Sequence, residues 1–265
     1  MELNKDTSYL IGLYQSDGHL CQGVNNKGKA TIELSIKDED IIYKIKQIIP
    51  YNYGIRKRTR NIIMKNKNYE YESINISVYN KEYREFLEKN GVPYGKKSKI
   101  IDVPKSKKLS NFDYIRGLFD GDGSLGFTKD NLPFVGFVTE SEYIKDYLLD
   151  FISNITGKKR KVINRNKRDK IYNIVIYKED AIIFCEKIYY DNCLSIDRKY
   201  RNSILIKKWV RPADMKKLDF ERKKWMNDED DYILLNTIED SMNKLNRTKK
   251  SIQTRKYRLK NSLID

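Results

Sequence analysis

Two aspartates occupy matching positions in a segment that the chain contains twice. Residues 9–19 read YLIGLYQSDGH and residues 114–124 read YIRGLFDGDGS, so that a single offset of 105 residues superimposes Asp17 on Asp122. Paired carboxylates suit a hard divalent cation such as Mg²⁺, which prefers oxygen ligands and often binds substrate phosphates as well. The repeat therefore predicts a metal site to which both copies contribute.

Each copy is predicted to be a helix that ends at its aspartate. A glycine follows the aspartate, at a position where a left-handed backbone conformation costs little. Gly12 and Ser16 are four residues apart and share one helix face, as do their counterparts in the second copy. Small residues on facing helices let the backbones approach closely, which would bring the two aspartates together. Two like charges at helix C-termini repel, and a bound cation would relieve that repulsion.

The two segments resemble the motifs of the LAGLIDADG homing endonucleases, in the single-chain form that carries two motifs. The resemblance extends over about residues 8–207 and implies an α+β fold of two pseudo-symmetric αββαββα repeats with antiparallel saddle-shaped sheets. It also implies a monomer that cleaves double-stranded DNA at a long pseudo-palindromic site with Mg²⁺, or with another divalent cation such as Mn²⁺. The implied metal ligands are Asp17, Asp122 and the backbone carbonyls of Ser16 and Gly121.

One position departs from the family pattern. The first copy has Gln15 where the second copy has Asp120. In the family this earlier acid is not the metal ligand. The departure therefore leaves the implied metal site intact.

The sequence around the motifs predicts two pairs of strands and two further helices in each half. In the first half, the strands fall within residues 19–36 and 54–79, and the helices within residues 38–49 and 82–90. In the second half, strands are predicted within residues 124–139, a basic strand over residues 158–168 and its partner over residues 172–177, with helices over residues 142–155 and 179–190. Both halves therefore follow one order of elements.

Basic residues form runs at equivalent places in the two halves. The chain has 53 Lys and Arg against 37 Asp and Glu, and its net charge of +16 favours a polyanionic partner. A single basic run is more often a solvated surface, but two at matching positions favour a sheet face that follows the DNA major groove. The candidate DNA-binding residues of these runs are Arg56, Arg58, Arg60, Lys159, Lys161, Arg165 and Arg168.

Each half is predicted to end in a basic loop. Residues 94–99 close the first half and residues 195–201 the second, which places Lys97 and Lys199 102 residues apart, close to the offset between the motifs. The family resemblance implies that a lysine at this place in each repeat reaches back to the active site. There it would help to polarise the attacking water or stabilise charge on the phosphate. We therefore expect Lys97 and Lys199 to be catalytic and their basic neighbours to contact phosphates.

The character of the chain changes at about Pro212. Residues 212–227 are polar and predict a linker, while residues 244–260 contain eight basic residues and no acid. Together with Trp225 and the acidic residues 228–231, this basic segment resembles a Myb- or SANT-type helix-turn-helix. The alternative is an amphipathic helical tail that packs on the main domain. Under the first interpretation, the residues that face a DNA major groove are Lys249, Lys250, Gln253 and Arg258.

Composition excludes several other classes of protein. No apolar run approaches the ~18 residues that a membrane-spanning helix needs, so no membrane partner is expected. His19 is the only histidine, which excludes a histidine metal cluster, and the three cysteines lack CxxC spacing. The N-terminal residues include charged Glu2, Lys5 and Asp6 and no apolar core, so we expect a cytoplasmic protein without a targeting signal.

The predicted domains are two repeats, residues 1–104 and 105–211, and a linker with its appendage, residues 212–265. Three functions fit this organisation. A maturase would bind intron RNA on the same scaffold, and a regulator would bind DNA without cutting it. Both of these could lose a catalytic aspartate without penalty, yet both motifs retain theirs. The retention favours a metal-dependent endonuclease that cuts double-stranded DNA.

Overall fold

The computed structural model describes residues 1–23, 27–64, 67–162, 165–166, 169–215 and 225–262. It divides into two compact units, Met1–Arg211 and Pro212–Asp265. The first unit contains two halves, and each half begins with one copy of the repeated motif. Among the residues that the structure describes, no helix combines the length and the apolar character needed to cross a membrane.

In the described part of the first half, helices pack on a four-stranded antiparallel sheet with the strand order β1-β2-β4-β3. The elements in chain order are α1 (Lys5–Ser16), β1 (Gly18–Cys21), β2 (Lys29–Ser35), α2 (Glu39–Ile45), β3 (Tyr53–Met64), β4 (Lys67–Val78) and α3 (Lys81–Lys89). Ala30, Ile32 and Leu34 of β2 point into the core, and the residues between them are partly exposed. This period of two leaves one polar face of the sheet open to solvent.

The described residues of the second half form a three-stranded antiparallel sheet with the order β5-β6-β7. The elements are α4 (Asn111–Gly121), β5 (Gly123–Phe127), β6 (Pro133–Thr139), α5 (Glu142–Thr156), β7 (Tyr172–Tyr177), α6 (Glu179–Ile188) and α7 (Asp197–Lys207). Gly157, with φ of 69°, ends α5 at the predicted place. The predicted α+β fold with antiparallel sheets is confirmed.

The predicted basic strand over residues 158–168 is wrong for the residues that the structure describes. Residues 158–162 and 165–166 belong to no strand, and the other four residues lie outside the described part of the chain. Lys158 and Arg160 form ion pairs with Asp180 near the start of α6. A basic run without apolar residues at alternate positions has no face to bury, which explains why it does not extend the sheet.

A second correction concerns the basic loop predicted over residues 195–201. The structure places Asp197–Lys207 in α7, so that Lys199 lies in the first turns of a helix. The helix buries Ile206 and Ser203 against the rest of the second half. These apolar and small positions lie beyond the basic run, in a part of the chain where the sequence pattern predicts no helix.

The two motif helices, α1 and α4, pack directly against each other along their small residues. A Cβ atom on Gly12 would overlap the carbonyl oxygen of Tyr114, and a Cβ atom on Gly117 would overlap the carbonyl oxygen of Tyr9. The contact is reciprocal, as an approximate two-fold axis between the helices requires. Close approach of the backbones therefore depends on the absence of a side chain at both glycines.

The second unit contains three helices in its described part, α8 (Asn227–Leu235), α9 (Ile238–Leu245) and α10 (Lys249–Ser262). Ile233 of α8 and Ile252 of α10 are fully buried. The acidic start of α8 holds the basic segment through ion pairs of Glu229 with Arg247 at 2.6 Å and of Asp230 with Arg255 at 2.5 Å. The Arg247 guanidinium also lies 3.9 Å from the centre of the Trp225 ring.

Candidate active site and nucleic-acid interface

The two aspartates of the motifs lie at the abutting C-terminal ends of α1 and α4. Asp17 caps α1 and Asp122 caps α4. The Asp17 carboxylate is so close to α4 that its Oδ2 atom lies 2.6 Å from where a Cβ atom on Gly121 would stand. Burial raises the pKa of Asp17 to about 6, and the negative charge of Asp122 contributes to the same shift. Burial also raises the pKa of Asp122. The helix pair thus holds two carboxylates together against their repulsion.

Both predicted lysines reach this place. Lys97 donates to the carbonyl oxygens of Gln15 at 2.7 Å and Ser16 at 2.6 Å, at the end of α1. Lys199 is buried and donates to four carbonyl oxygens at the end of α4, those of Phe119, Asp120, Gly121 and Gly123, at 2.5 to 3.0 Å. Positive charge at a helix C-terminus is favourable, and each lysine also satisfies carbonyls that the helix itself leaves unpaired.

The two lysines differ in how many N–H groups are already engaged. Among the described residues, two carbonyl oxygens accept from Lys97, which leaves one N–H directed elsewhere. The four carbonyls around Lys199 engage all three of its N–H groups. Burial lowers the pKa of Lys97 and of Lys199, and the nearby aspartates oppose this by favouring the charged ammonium. Lys97 is therefore the lysine with a donor available for substrate.

Hydrogen bonds from tyrosine hydroxyl groups stabilise the helix ends that carry the aspartates. Tyr9 of α1 donates to Asp120 of α4 at 2.7 Å, and Tyr114 of α4 donates to Gln15 of α1 at 2.5 Å. Asp120 is fully enclosed and accepts two more hydrogen bonds, from Tyr189 and from the backbone N–H of Ile196. Gln15 and Asp120 thus occupy equivalent places and bind protein groups, which agrees with the expectation that Asp120 is not a metal ligand.

The sequence pattern alone assigns no role to the two tyrosines. The signal is present, because Tyr9 and Tyr114 are separated by the same 105 residues as the aspartates. Aromatic rings at these positions are, however, also what an apolar helix face requires. Only the packing of the two helices shows that each tyrosine hydroxyl donates a hydrogen bond to the other helix.

The start of α7 is joined to α2 and the residue that precedes it in the other half. Arg198 makes two hydrogen bonds to the buried carboxylate of Asp38, at 2.6 and 2.8 Å. Lys44 donates to the Ser195 carbonyl at 2.7 Å and to Asp197 at 2.5 Å. Asp38 engages two N–H groups of Arg198, and the Arg198 side chain is still 48% exposed, so its expected contact with phosphate stays a prediction. The contact holds α7, and with it Lys199, against the active centre.

The groups that converge at the helix ends are compatible with a hard divalent cation. Two carboxylates with raised pKa values provide oxygen ligands that gain from a bound positive charge. Among the described residues, no group of three or more His, Cys, Asp or Glu side chains is arranged to hold a metal ion, so further ligands would be carbonyls and water. The carbonyls of Ser16 and Gly121 accept from Lys97 and Lys199 and keep a second lone pair each.

The candidate DNA-binding residues of the first half share one face of the sheet. Arg56, Arg58 and Arg60 are exposed and stand at alternate positions of β3. Arg60 donates to Glu33 of β2 at 2.7 Å, and Ser73 of β4 donates to the same carboxylate at 2.8 Å. The face therefore presents an ordered set of donors and one acceptor, as readout of base edges requires.

The candidates of the second half are less regular. Lys159 and Lys161 are exposed and lie outside any strand, and Arg168 lies outside the described residues. Arg165 donates to the carbonyls of Glu140 and Lys170 and lies over the ring of Tyr172. These contacts hold Arg165 against other residues of the second half, beside β7. Its position in a basic run does not indicate this structural role.

The candidates of the second unit lie on one helix. Lys249, Lys250, Gln253 and Arg258 of α10 are all exposed, whereas Ile252 on the same helix is buried. The predicted separation into an inner and an outer face is thus present. A role of this face in DNA binding stays a prediction.

Comparison with known proteins decides the family. The model of the LAGLIDADG-like domain matches residues 4–91 and 111–189, which together make up more than half of the chain. The chain belongs to the LAGLIDADG-like family. Each matched segment contains one of the two motifs, Asp17 in the first and Asp122 in the second. The two LAGLIDADG motifs expected from the sequence are confirmed.

Solved structures with the LAGLIDADG fold resemble the chain over most of its length. The homing endonuclease I-WcaI bound to its DNA recognition sequence is 14% identical, with 77% of this chain and 88% of that chain covered and a TM-score of 0.52. I-SmaMI bound to an uncleaved DNA target in the presence of calcium ions is 11% identical, with coverages of 78% and 90% and a TM-score of 0.49. No match was found among curated proteins. At these identities the likeness concerns the fold.

Proposed function

We propose that the protein is a site-specific endonuclease that hydrolyses one phosphodiester bond in each strand of a DNA duplex, with Mg²⁺ or a similar divalent cation as cofactor. The observation that supports this best is the pair of Asp17 and Asp122, held together at the ends of α1 and α4 with a lysine beside each helix end. A protein that only binds nucleic acid gains nothing from two carboxylates kept close at a cost in stability. Membership in the LAGLIDADG-like family supports the same conclusion.

The proposed partner is double-stranded DNA, bound by a single copy of the chain. Both motifs are present in one polypeptide, and the reciprocal contacts of Gly12 and Gly117 relate them by an approximate two-fold axis. The two strands of a DNA duplex are also related by a two-fold axis. One copy of the chain can therefore present one carboxylate and one lysine to each strand, which suits a monomer and a pseudo-palindromic site.

Asp17 and Asp122, together with the carbonyls of Ser16 and Gly121, would hold the cation. When bound, the cation activates water and neutralises charge on the phosphate that is attacked. The remaining N–H group of Lys97 is placed to donate to a phosphate oxygen, because its other two are fixed on carbonyls of α1. The positive charges of Lys199 and Lys97 also favour the ionised form of Asp17 and thereby lower its pKa.

The test is selection of cleaved duplexes from a randomised library, with Mg²⁺ in one arm and EDTA in the other. The proposal predicts that one family of related sequences is cut in both strands in the Mg²⁺ arm and that the EDTA arm yields binding without cutting. Binding to a specific duplex with no cleavage in either arm would favour a non-cleaving regulator. Preference for RNA over every duplex would favour a maturase.

The two lysines are expected to behave differently when replaced by methionine. Lys97→Met should lower the single-turnover cleavage rate by about a hundredfold or more and change DNA affinity little, because the phosphate loses a donor in the transition state. Lys199→Met should lower the rate and also the melting temperature, since four buried carbonyls lose their donor. Lys96→Met, at an exposed neighbour, is the control for removal of charge alone. An unchanged rate for Lys97→Met at saturating enzyme would show that Lys97 is only a structural clamp.

Removal of residues 212–265 should weaken DNA binding without removing the chemistry. Both aspartates and both lysines belong to the unit Met1–Arg211. The second unit exposes basic residues of α10, and the slope of log K against log salt should fall by about 0.9 for each phosphate that the shortened chain no longer reaches. The DNA footprint should shorten on one side only, because a single second unit cannot obey the two-fold relation. An unchanged footprint and salt slope with a lower melting temperature would identify these helices as a packing element.

A further inference from the structure

The exposed face of the second sheet differs in chemistry from that of the first. The described strands β5, β6 and β7 place on this face the residues Ser124, Gly126, Phe134, Gly136, Val138, Asn173, Val175 and Tyr177. None of these eight side chains carries a charge. Two of its large side chains are open to solvent, since Val138 is 38% exposed and Tyr177 is 48% exposed. The equivalent face of the first sheet presents Arg56, Arg58, Arg60 and Glu33.

The apolar side chains line a groove with a recess in its floor. Gly136 lies between its two cross-strand partners, Ser124 on β5 and Val175 on β7. Because glycine has no side chain, this position forms a depression in the surface of the sheet. Phe134 and Val138 flank Gly136 along β6 at the next outward positions. The groove they border has a volume of about 400 Å³. The methyl groups of Val138 and Val175 and the rings of Phe134, Phe137 and Tyr177 line this groove, which therefore offers an apolar surface to small apolar groups.

The groove is continuous with the candidate active centre. Asp122 is part of its lining, and further polar groups come from Ser124, Thr128, Asn173 and Tyr177. In the proposed complex, a duplex with a scissile phosphate at Asp122 extends over this face, because Asp122 and the outward residues of the sheet line one groove. Among the groups that a DNA major groove presents, the C5-methyl of thymine is the one that an apolar recess can recognise.

We infer that the second sheet recognises thymine methyl groups, so that the DNA site has chemically unlike halves: a thymine-rich half-site over β5, β6 and β7, and a half-site read by arginine and glutamate over the first sheet. This inference rests on the proposed function. The Val138 and Val175 side chains and the Phe134 ring form the methyl-binding surface, and Asn173 and Ser124 provide hydrogen bonds to neighbouring base edges. The contrast between the two faces makes each half of the protein selective for a different base chemistry.

The test replaces thymidine by deoxyuridine, which lacks only the methyl group, in one half-site at a time of a duplex obtained from the library selection. Replacement in the half-site over the second sheet should lower affinity about fourfold for each thymine in contact, the value of one buried methyl. Replacement in the other half-site should change affinity less than about twofold. The half-site over the second sheet is identified by the variants below.

The double variant Val138→Ala, Val175→Ala removes methyl groups from the recess and should reduce the deoxyuridine penalty to less than about twofold. Arg58→Ala, on the first sheet, is the matched control and should retain the full penalty. Each penalty is a ratio of affinities for two duplexes measured with one protein sample, so a partly unfolded variant does not distort it.

Three results would overturn the inference while leaving the proposed function standing. They are a bound and cleaved duplex that is insensitive to deoxyuridine in both halves, an equal penalty in both halves, and an unchanged penalty in the double variant. If the chain sediments as a dimer that the double variant dissociates, a second copy covers this face and the inference is wrong. If no duplex is bound or cut at all, the proposed function itself fails, which the library selection shows before any deoxyuridine is used.

Discussion

Replacing Asp17 by Asn, or Asp122 by Asn, is expected to abolish double-strand cleavage while changing DNA affinity by no more than about tenfold. Each substitution removes one of the two carboxylates at the ends of α1 and α4 that are proposed to hold the cation. Loss of cation binding should lower the rate on each strand by about a thousandfold or more, leaving at most slow nicking. The measurement is single-turnover cleavage of the selected duplex on both strands, with affinity measured in EDTA.

The metal-free protein supplies a control for correct folding of these variants. The folded state raises the pKa of Asp17 from its ordinary value of 3.8 to about 6, so the penalty for ionising this carboxyl in the folded state grows between those two pH values and is complete above about 6. In EDTA at a pH of about 7.5, Asp17→Asn should therefore match or exceed the melting temperature of the unchanged protein. The difference should shrink as the pH falls through about 6, where the native carboxyl becomes protonated. Normal cleavage by both variants would disprove the assignment of the aspartates.

The sequence predicts that the two motif aspartates lie close together, because the motif occurs twice, and the structure places them so. The common offset of the motifs indicates Asp17 and Asp122 without any knowledge of the fold, and the small residues beside them indicate close helix packing. Lys97 and Lys199 can be proposed because a family resemblance directs attention to residues after each repeat. Their contacts with helix-end carbonyls require the three-dimensional arrangement.

The sequence predicts less where a contact joins the two halves through residues that do not repeat. Arg198 and Asp38 form such a contact, and no spacing in the chain indicates that one meets the other. The described residues of the run 158–168 show the opposite error, since a match in position and charge is not a match in conformation. Charge repeats can persist without a strand, because charge alone provides no buried face.

The sheets also show why the symmetry of the sequence motifs does not extend to the exposed faces of the two sheets. The motif residues must form the same helix pair, so they repeat closely. The outward positions of β6 and β7 do not belong to the motif helices and are free to differ from those of β3 and β4. The apolar groove at Gly136 and the ion pair of Arg60 with Glu33 lie on related faces and differ in charge and polarity.

The close contact of the motif helices leads to the prediction of largest effect on stability, which concerns Gly117. Gly117→Ala should destabilise the unit Met1–Arg211 by about 3 kcal/mol, because the added Cβ atom overlaps the backbone carbonyl of Tyr9, which cannot rotate away. Gly54→Ala is the matched control, since a Cβ atom there meets nothing within 4 Å. Hydrogen exchange of the α1 and α4 amides measures the effect within this unit alone.

The reciprocal contacts of Gly12 and Gly117 also predict how the two substitutions combine in a double variant. Gly12→Ala should cost about as much as Gly117→Ala, because its Cβ atom overlaps the carbonyl of Tyr114 in the same way. Once one alanine has forced α1 and α4 apart, the second meets less resistance, so the double variant should cost less than the two single effects added together. Separation of the helices also moves Asp17 away from Asp122, and cleavage should fall in both single variants even where they remain folded. Full additivity of the two losses, with cleavage unchanged, would show that the glycines act independently of each other and of the site.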